Sequence, residues 1–483
     1  MLSPLPRRVK RPSRRRPLPG VPRPVSSRPE FLRRPSSRPA ASAPRLRRWA
    51  AALLAVLMAV PAQAQVMIRD AEIEATVAML AEPIFRAAGM PPDQVEIFLV
   101  GESTPNAFVF AGRRMVFTTG LLREFAKPGQ LQGVIAHEVG HLAGGHLARR
   151  EIQMRNARGP AMAAMILGAV AAAASGSSQA GLGVAMAGQS AVQRALMAYS
   201  RGEEASADQA GLTYLERAGI DPTGMREVMD RFRGQEVFSD RSQDAYARTH
   251  PVFAERLAAA ERRIEASPHV GVPPDPELVY RVDRMAAKIE AFMDSPRMVL
   301  ARLDPNDGSE LARLRRAVAL HRGGDPDAAL AEADRLIALR PRDPYYHELK
   351  GQFLLESGRG QQAVGPYREA VRLAPNEPLL LGYLGRALLP VGDPGTDAEA
   401  VAMLERAVRD SGGGSPDMLR DLAFAHARTG QEGRAALASA ERFAMMGAMD
   451  DARRMAERAK GLLAPGDPAW LRADDITAAA PPR

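Results

Sequence analysis

The stretch Val134-Ile-Ala-His137-Glu138-Val-Gly-His141-Leu-Ala143 concentrates groups that can do hydrolytic chemistry. Two histidines at i and i+4 lie on one helix face, one turn apart, so both imidazoles can reach a single ion. Glu138 sits beside them, where a carboxylate can take a proton from a water held by that ion and later deliver it to a leaving amine. Val134, Ile135 and Leu142 supply the apolar flanks that bury such a helix and fix the histidine rotamers. HExxH alone arises by chance in many helices; a third ligand makes it specific. The chain contains no cysteine, which excludes thiolate zinc sites and cysteine nucleophiles and leaves histidine or carboxylate as the third ligand.

A metzincin pattern, HExxHxxGxxH, would require histidine at position 147, which is Leu147. His146 is one residue out of register; at i+5 from His141 it reads as a polar helix-end or surface residue pointing away. Tyr199-Ser-Arg-Gly-Glu-Glu204-Ala-Ser-Ala-Asp208 is the better source. Glu204 and Asp208 are again four apart on a helix. Glu204 would complete a His₂Glu set for one zinc ion per chain, with the fourth position open to water. Asp208 would accept the second ring N–H of a ligand histidine and orient it. Glu203 is a rival ligand, but it has no acid at i+4. A His₂-carboxylate set also suits non-haem iron, but those oxygenases lack a catalytic Glu within an HExxH helix, so zinc is the expected metal. Gly140 in mid-helix costs about 1 kcal/mol relative to Ala, which points to close packing against another element.

Elements must hold these groups. At 483 residues the chain is too long for one ordinary core. Hydrophobic residues make up 46% and aromatics only 5%, and the Ala/Leu/Arg-rich composition favours helix. The fold class expected is mainly α (α+β). A first helix covers about 69–88, followed by strand-like runs at Val95–Val100, Ala107–Phe110 and Arg114–Thr118, with Gly112 as a hairpin turn. Residues 160–198 are small and apolar. Their pieces are too short or too interrupted for a comfortable membrane hairpin, and two closely packed helices or a flap over the site are the preferred reading.

From about residue 308 a repeat appears. Gly324, Ala329, Leu339, Pro341 and Pro344 recur 34 residues later at Gly358, Ala363, Leu373, Pro375 and Pro378. That is the tetratricopeptide period. A stretched copy follows, with Ala400 and Ala407, then a degenerate one near Gly430 and a closing helix near 450–463. The organisation expected is a leader at 1–64, a metalloprotease domain at 65–270, a helical linker at 271–307, a tetratricopeptide solenoid at 308–465 and a disordered tail at 466–483.

The net charge of +9 invites a nucleic-acid reading, which its distribution removes. Residues 1–48 hold 15 Lys/Arg and a single acid, Glu30, so they carry +14 and leave the remainder at −5. The basic stretch precedes an apolar run of about 12 residues, 49–60, and then Pro61-Ala-Gln-Ala64. This reads as an export signal cleaved after Ala64, with an uncleaved anchor as the alternative. No nucleic-acid partner is expected.

His137-Glu-Val-Gly-His141 with Glu204-x-x-x-Asp208 resembles the HtpX/CAAX-prenyl-protease superfamily of zinc peptidases. Asn106-Ala107-Phe108, Gly120-Leu-Leu122 and Thr249-His250-Pro251-x₄-Arg256-Leu257 are similar too. The resemblance, which covers nearly all of residues 68–465, implies a gluzincin-type fold with a small β-hairpin and edge strand, and repeats folded back on the protease. It implies a periplasmic role in outer-membrane protein quality control, with peripheral membrane association. The partners it implies are unfolded or assembling outer-membrane proteins and the β-barrel assembly machinery, met through the repeats. By the same analogy Asn106, Ala107 and Phe108 bind an extended substrate by main-chain pairing. His250 is read first as a fourth zinc ligand that holds the enzyme latent; the rivals are that His250 or Arg256 stabilises the oxyanion, and that His250 merely caps a helix before Pro251. A chaperone or adaptor with a largely latent site is the rival function.

Overall fold

Asp70 opens the first long helix by accepting from the Glu72 and Ile73 amides, at 3.1 and 3.0 Å, which satisfies two otherwise unpaired donors. The computed structural model describes residues 67–110, 114–146, 148–149, 201–234, 245–251 and 254–479. The leader, the turn at Gly112 and the segment 160–198 lie outside the described residues. That first helix, α1 (Ala71–Ala87), buries Val77, Leu80, Ala81 and Ile84, a helical-period stripe facing the core. Strand β1 (Met67–Ile68) precedes it; β2 (Glu96–Val100), β3 (Ala107–Phe110) and β4 (Arg114–Thr118) follow. The sheet order is β1-β2-β4-β3. β1 is antiparallel to β2, β2 parallel to β4, and β3 antiparallel to β4 with Ala107 opposite Phe117.

Next come α2 (Thr119–Glu124), α3 (Pro128–Ala143), a helix over 201–217 designated α4, α5 (Thr223–Phe232), the short α6 (Ala245–Thr249) and α7 (Ala254–Glu265). Helix α3 has Pro128 at its first position and is buried along nearly its whole length, so it sits in the middle of the domain. Val77, Leu80, Phe117, Leu121, Val134, Ile135, Val139, Leu215, Phe232 and Leu257 belong to one continuous core.

Helix α8 (Pro276–Met293) belongs to both halves of the molecule. Its Leu278, Val282, Met285 and Ile289 enter the protease core, while Ala287 and Ala291 pack with Leu314, Leu336 and Phe353 of the repeats. It also buries two cations, Arg284 and Lys288, each 1% exposed. Arg284 pairs with Glu72 at 2.6 Å and also with Asp343. Lys288 pairs with Asp70 at 2.8 Å and Glu72 at 3.3 Å, and reaches Glu348 at 3.6 Å. Buried charges survive only when paired, so this cluster fixes α1 against the repeats. Tyr383 adds a hydrogen bond from its hydroxyl to the Arg69 carbonyl, 2.9 Å.

After α9 (Pro296–Arg302) the chain runs in helix pairs: α10 (Glu310–Arg322) with α11 (Pro326–Leu339), α12 (Pro344–Glu356) with α13 (Gly360–Leu373), α14 (Pro378–Leu388) with α15 (Pro394–Asp410), α16 (Pro416–Arg428) with α17 (Glu432–Met445), and α18 (Met449–Leu462) with α19 (Pro468–Ala479). Proline opens many of these helices at N1, where its missing N–H costs nothing. Gly324 and Gly358 both turn with positive φ, 87° and 79°, a conformation that glycine adopts without strain, and this explains their 34-residue recurrence. The described residues are mainly helical, with one small sheet among them.

The tail departs from expectation. Residues 468–479 are helical, with Ala469 and Ala473 buried against Ala436, Ala456 and Ala459. The Ala/Pro-rich composition suggested disorder, but Pro468 serves as a helix start, Asp467 accepts from the Ala469 amide at 2.7 Å, and the small side chains permit close packing. Among the described residues no helix is long and apolar enough to cross a membrane.

Candidate metal centre and active site

Glycine lets two site helices touch. At Gly140 of α3 a Cβ would stand 2.5 Å from the Ala207 carbonyl oxygen and 2.9 Å from Ala207 Cα; at Gly211 of α4 one would stand 3.0 Å from the Ala136 carbonyl carbon. Backbone thus meets backbone, as the mid-helix glycine suggested, and Glu204 and Asp208 of α4 are brought onto the histidine face of α3.

His137, His141, Glu204 and His250, all buried, each offer a ligand atom, and these atoms lie within 4.8 Å of one another. His137 Nε2 is 3.1 Å from His141 Nε2 and 3.1 Å from His250 Nδ1. Glu204 Oε2 is 3.3 Å from His137 Nε2, and Glu204 Oε1 is 3.3 Å from His141 Nε2. His250 Nδ1 is 3.2 Å from Glu204 Oε2. Glu138 is fully buried, and its Oε1 lies 3.4 Å from His250 Nε2. Glu204 Oε1, His250 Nε2 and both Glu138 oxygens are buried without a hydrogen-bond partner. Orphaned acceptors and facing imidazole nitrogens are expensive in a protein interior. A divalent cation among them, with a water beside Glu138, removes that expense, so the residues fit a metal.

The electrostatics are those of a tightly coupled set of buried acids and imidazoles. Burial opposes charge on His137, but the Asp208 and Glu204 carboxylates outweigh it and raise this imidazole to about 10. Burial lowers His141 to about 3. Burial works against the Glu204 carboxylate, yet His250, His137 and His141 hold it well below the ordinary range. Burial raises Glu138, which the neighbouring histidines only partly oppose; a raised carboxyl suits a group that gains and gives a proton.

Around these groups lies a supporting layer. Asp208 Oδ1 accepts from His137 Nδ1 at 2.9 Å and from Arg256 Nη2 at 2.9 Å; its Oδ2 accepts from Arg256 Nε at 2.7 Å. Arg256 Nη1 donates to the Pro251 carbonyl at 2.6 Å and lies 3.0 Å from Glu204 Oε2. Through these contacts the Arg256 guanidinium holds Asp208, Glu204 and the His250 loop together. His146 also departs from expectation. It is 4% exposed, not a surface residue, and its Nδ1 lies 2.9 Å from His141 Nδ1.

The strand that carries Ala107 and Phe108 stands at the end of the sheet. The Thr118 amide donates to the Asn106 carbonyl at 3.0 Å, so main-chain groups of 106, 108 and 110 turn toward β4 and those of 107 and 109 turn outward. Among the described residues no strand pairs with that outer edge. Asn106 also meets the His250 helix: the Tyr246 amide donates to the Pro105 carbonyl at 3.3 Å, and Thr249 Oγ1 lies 3.4 Å from Asn106 Oδ1.

A metal-ligand cluster on an HExxH helix, completed from a second helix and followed in the chain by a helical repeat array, defines a metallopeptidase. Residues 68–264 match the family model described as Peptidase family M48, and helix pairs with a tetratricopeptide-like period follow them. Over 364 residues it is 27% identical to the "Beta-barrel assembly-enhancing protease" of Escherichia coli (strain K12), covering 74% of this chain and 72% of that protein. The Yersinia pestis protein of the same name is 27% identical over 64% of this chain and 63% of its own. The "Mitochondrial metalloendopeptidase OMA1" of Schizosaccharomyces pombe is 26% identical over 38% of this chain and 51% of its own. Among solved structures, a thermophilic TPR protein from Thermus thermophilus covers 35% of this chain and 100% of its own, at 20% identity and a TM-score of 0.26.

Proposed function

We propose that this chain is a zinc-dependent endopeptidase of the periplasm that hydrolyses unfolded or misassembled envelope proteins during outer-membrane β-barrel assembly. The observation that carries the reading is the convergence of His137, His141 and Glu204 beside a fully buried, unpartnered Glu138. Similarity to the β-barrel assembly-enhancing proteases, over both the peptidase domain and the repeats, supports the cellular task.

His137, His141 and Glu204 hold the metal, as a His₂Glu set of gluzincin type. When bound, zinc supplies Lewis acidity that polarises the scissile carbonyl and lowers the pKa of the attacking water. Glu138 takes that water's proton and then protonates the leaving amine. Asp208 fixes the His137 ring by accepting at Nδ1, and Arg256 fixes Asp208. The outward main-chain groups of Ala107 and Val109 pair with an extended substrate, and Asn106 sets the start of that strand. The repeats hold the assembling outer-membrane protein or the assembly machinery.

His250 supports a second reading, in which the peptidase rests closed and the repeats act as a chaperone. Its Nδ1 converges with the three ligands, so His250 fills the position that the attacking water needs. The test is casein hydrolysis by zinc-loaded residues 65–483. Cleavage should rise in His250→Ala and vanish when Glu138→Gln is added. If neither protein cuts despite bound zinc, the peptidase reading fails and the chaperone reading stands.

A further inference from the structure

His137 and His141 are equivalent in sequence but not in support. His137 leans on a carboxylate, Asp208. His141 Nε2 faces the ligand cluster, 3.3 Å from Glu204 Oε1, and its Nδ1 faces His146 Nδ1 at 2.9 Å. The two rings meet edge-on, with centroids 5.0 Å apart and planes 80° apart. If His141 presents a lone pair at Nε2, its proton sits on Nδ1 and needs an acceptor. His146 Nδ1 is in place to accept it, with the His146 proton on Nε2.

The backbone explains how a residue at i+5 returns to the helix. Helix α3 ends at Gly144, and Gly145 follows with φ +63°, donating its amide to the Leu142 carbonyl at 3.1 Å. That left-handed step folds position 146 back under the last turn, where a continuing helix would aim it elsewhere. The returning ring lies over Gly144: a Cβ there would overlap His146 Nε2, Cδ2 and Cε1 well inside contact distance. Both glycines are therefore needed, one for its φ and the other for its missing side chain.

We propose that His146 is the positioning residue for His141: the Gly144-Gly145-His146 turn forms a clip that fixes the ring rotation and tautomer of this ligand, as Asp208 does for His137. The inference rests on the reading of His137, His141 and Glu204 as zinc ligands. Loss of such a partner lowers metal affinity by about 10–100-fold in metal sites generally.

The experiment measures zinc affinity by chelator competition on residues 65–483, with the urea midpoint of each metal-free variant recorded beside it. His146→Ala should weaken zinc by about 10–100-fold while the metal-free midpoint stays near wild type. His146→Asn, whose amide oxygen can stand where Nδ1 stood, should recover most of the loss. Gly144→Ala should weaken zinc in the wild-type background and add nothing to His146→Ala. A wild-type protein that binds no zinc overturns the ligand assignment itself. Zinc held equally by wild type and His146→Ala, or losses that are equal for Asn and Ala and match a lowered metal-free midpoint, overturn the clip alone.

Discussion

Substituting Gly140 by alanine tests how closely the two site helices must approach. The new Cβ would lie 2.5 Å from the Ala207 carbonyl oxygen. Restoring an ordinary contact requires α3 and α4 to part by roughly 0.9 Å, because dense interiors have no slack to absorb it. Ala207 stands between Glu204 and Asp208, so both carboxylates move together, away from His137 and His141. Catalytic groups tolerate displacements of about 0.5 Å, and a displacement near 1 Å can cost on the order of 100-fold. Overpacking costs about 1–3 kcal/mol, and the gain in helix propensity returns about 1 kcal/mol. Gly140→Ala, made in the His250→Ala background, should therefore lose roughly 10- to 100-fold in kcat/KM on casein and gain no stability in urea. A variant that cleaves at the parental rate and is about 1 kcal/mol more stable, as propensity alone dictates, would refute the close-contact reasoning.

Three further outcomes can be checked. Lys288→Ala removes the cation shared by Asp70, Glu72 and Glu348 and leaves the buried Glu348 without its counter-ion, and should cost about 3–5 kcal/mol in urea unfolding; a loss below about 1 kcal/mol would contradict the view of this cluster as the bolt between the halves. Burial raises the half-buried Glu377 to about 7, so the folded state favours its neutral form. Its contribution is complete below the unfolded value near 4.5 and is lost as pH rises through 7, whereas Glu377→Gln should unfold with less pH dependence and be the more stable protein at about pH 8. Unfolding curves of the two proteins that run parallel from about pH 5 to 8 would rule this out. Treatment with EDTA should abolish casein cleavage and lower the melting temperature, and zinc should restore both, since a ligand that binds only the folded state stabilises it; an unchanged melting temperature would count against a metal in this cluster.

The parts legible in the sequence are those in which one residue's partner is a fixed number of positions away. His137 and His141 share a face by helix geometry, Glu204 and Asp208 do the same, and Gly324 and Gly358 mark the repeat because each turn needs a positive φ. His146 was misread because helical geometry was extended past Gly144; the Gly-Gly pair before it was the available signal for a chain reversal. Proline and aspartate at 467–468 likewise marked a helix start that composition obscured. The contact that Arg256 makes with Asp208 was not legible for a different reason. The two residues lie 48 positions apart, and no local pattern reveals that. Arg284 and Lys288 look like ordinary surface cations on an amphipathic helix, and only the fold brings acids over them.

The same cluster sets an order of assembly. Residues 67–72 are made early, yet the groups that neutralise Glu72 arrive with Arg284 and Lys288, and the hydroxyl that holds the Arg69 carbonyl arrives with Tyr383. Contacts that span so much chain carry a large closure entropy and form late. A nascent chain that already contains His137, Glu138, His141 and Glu204 still has an acid without its counter-ion at the start of its first helix. The start of the first helix is therefore completed only when α8 and then the repeats that carry Tyr383 have been made.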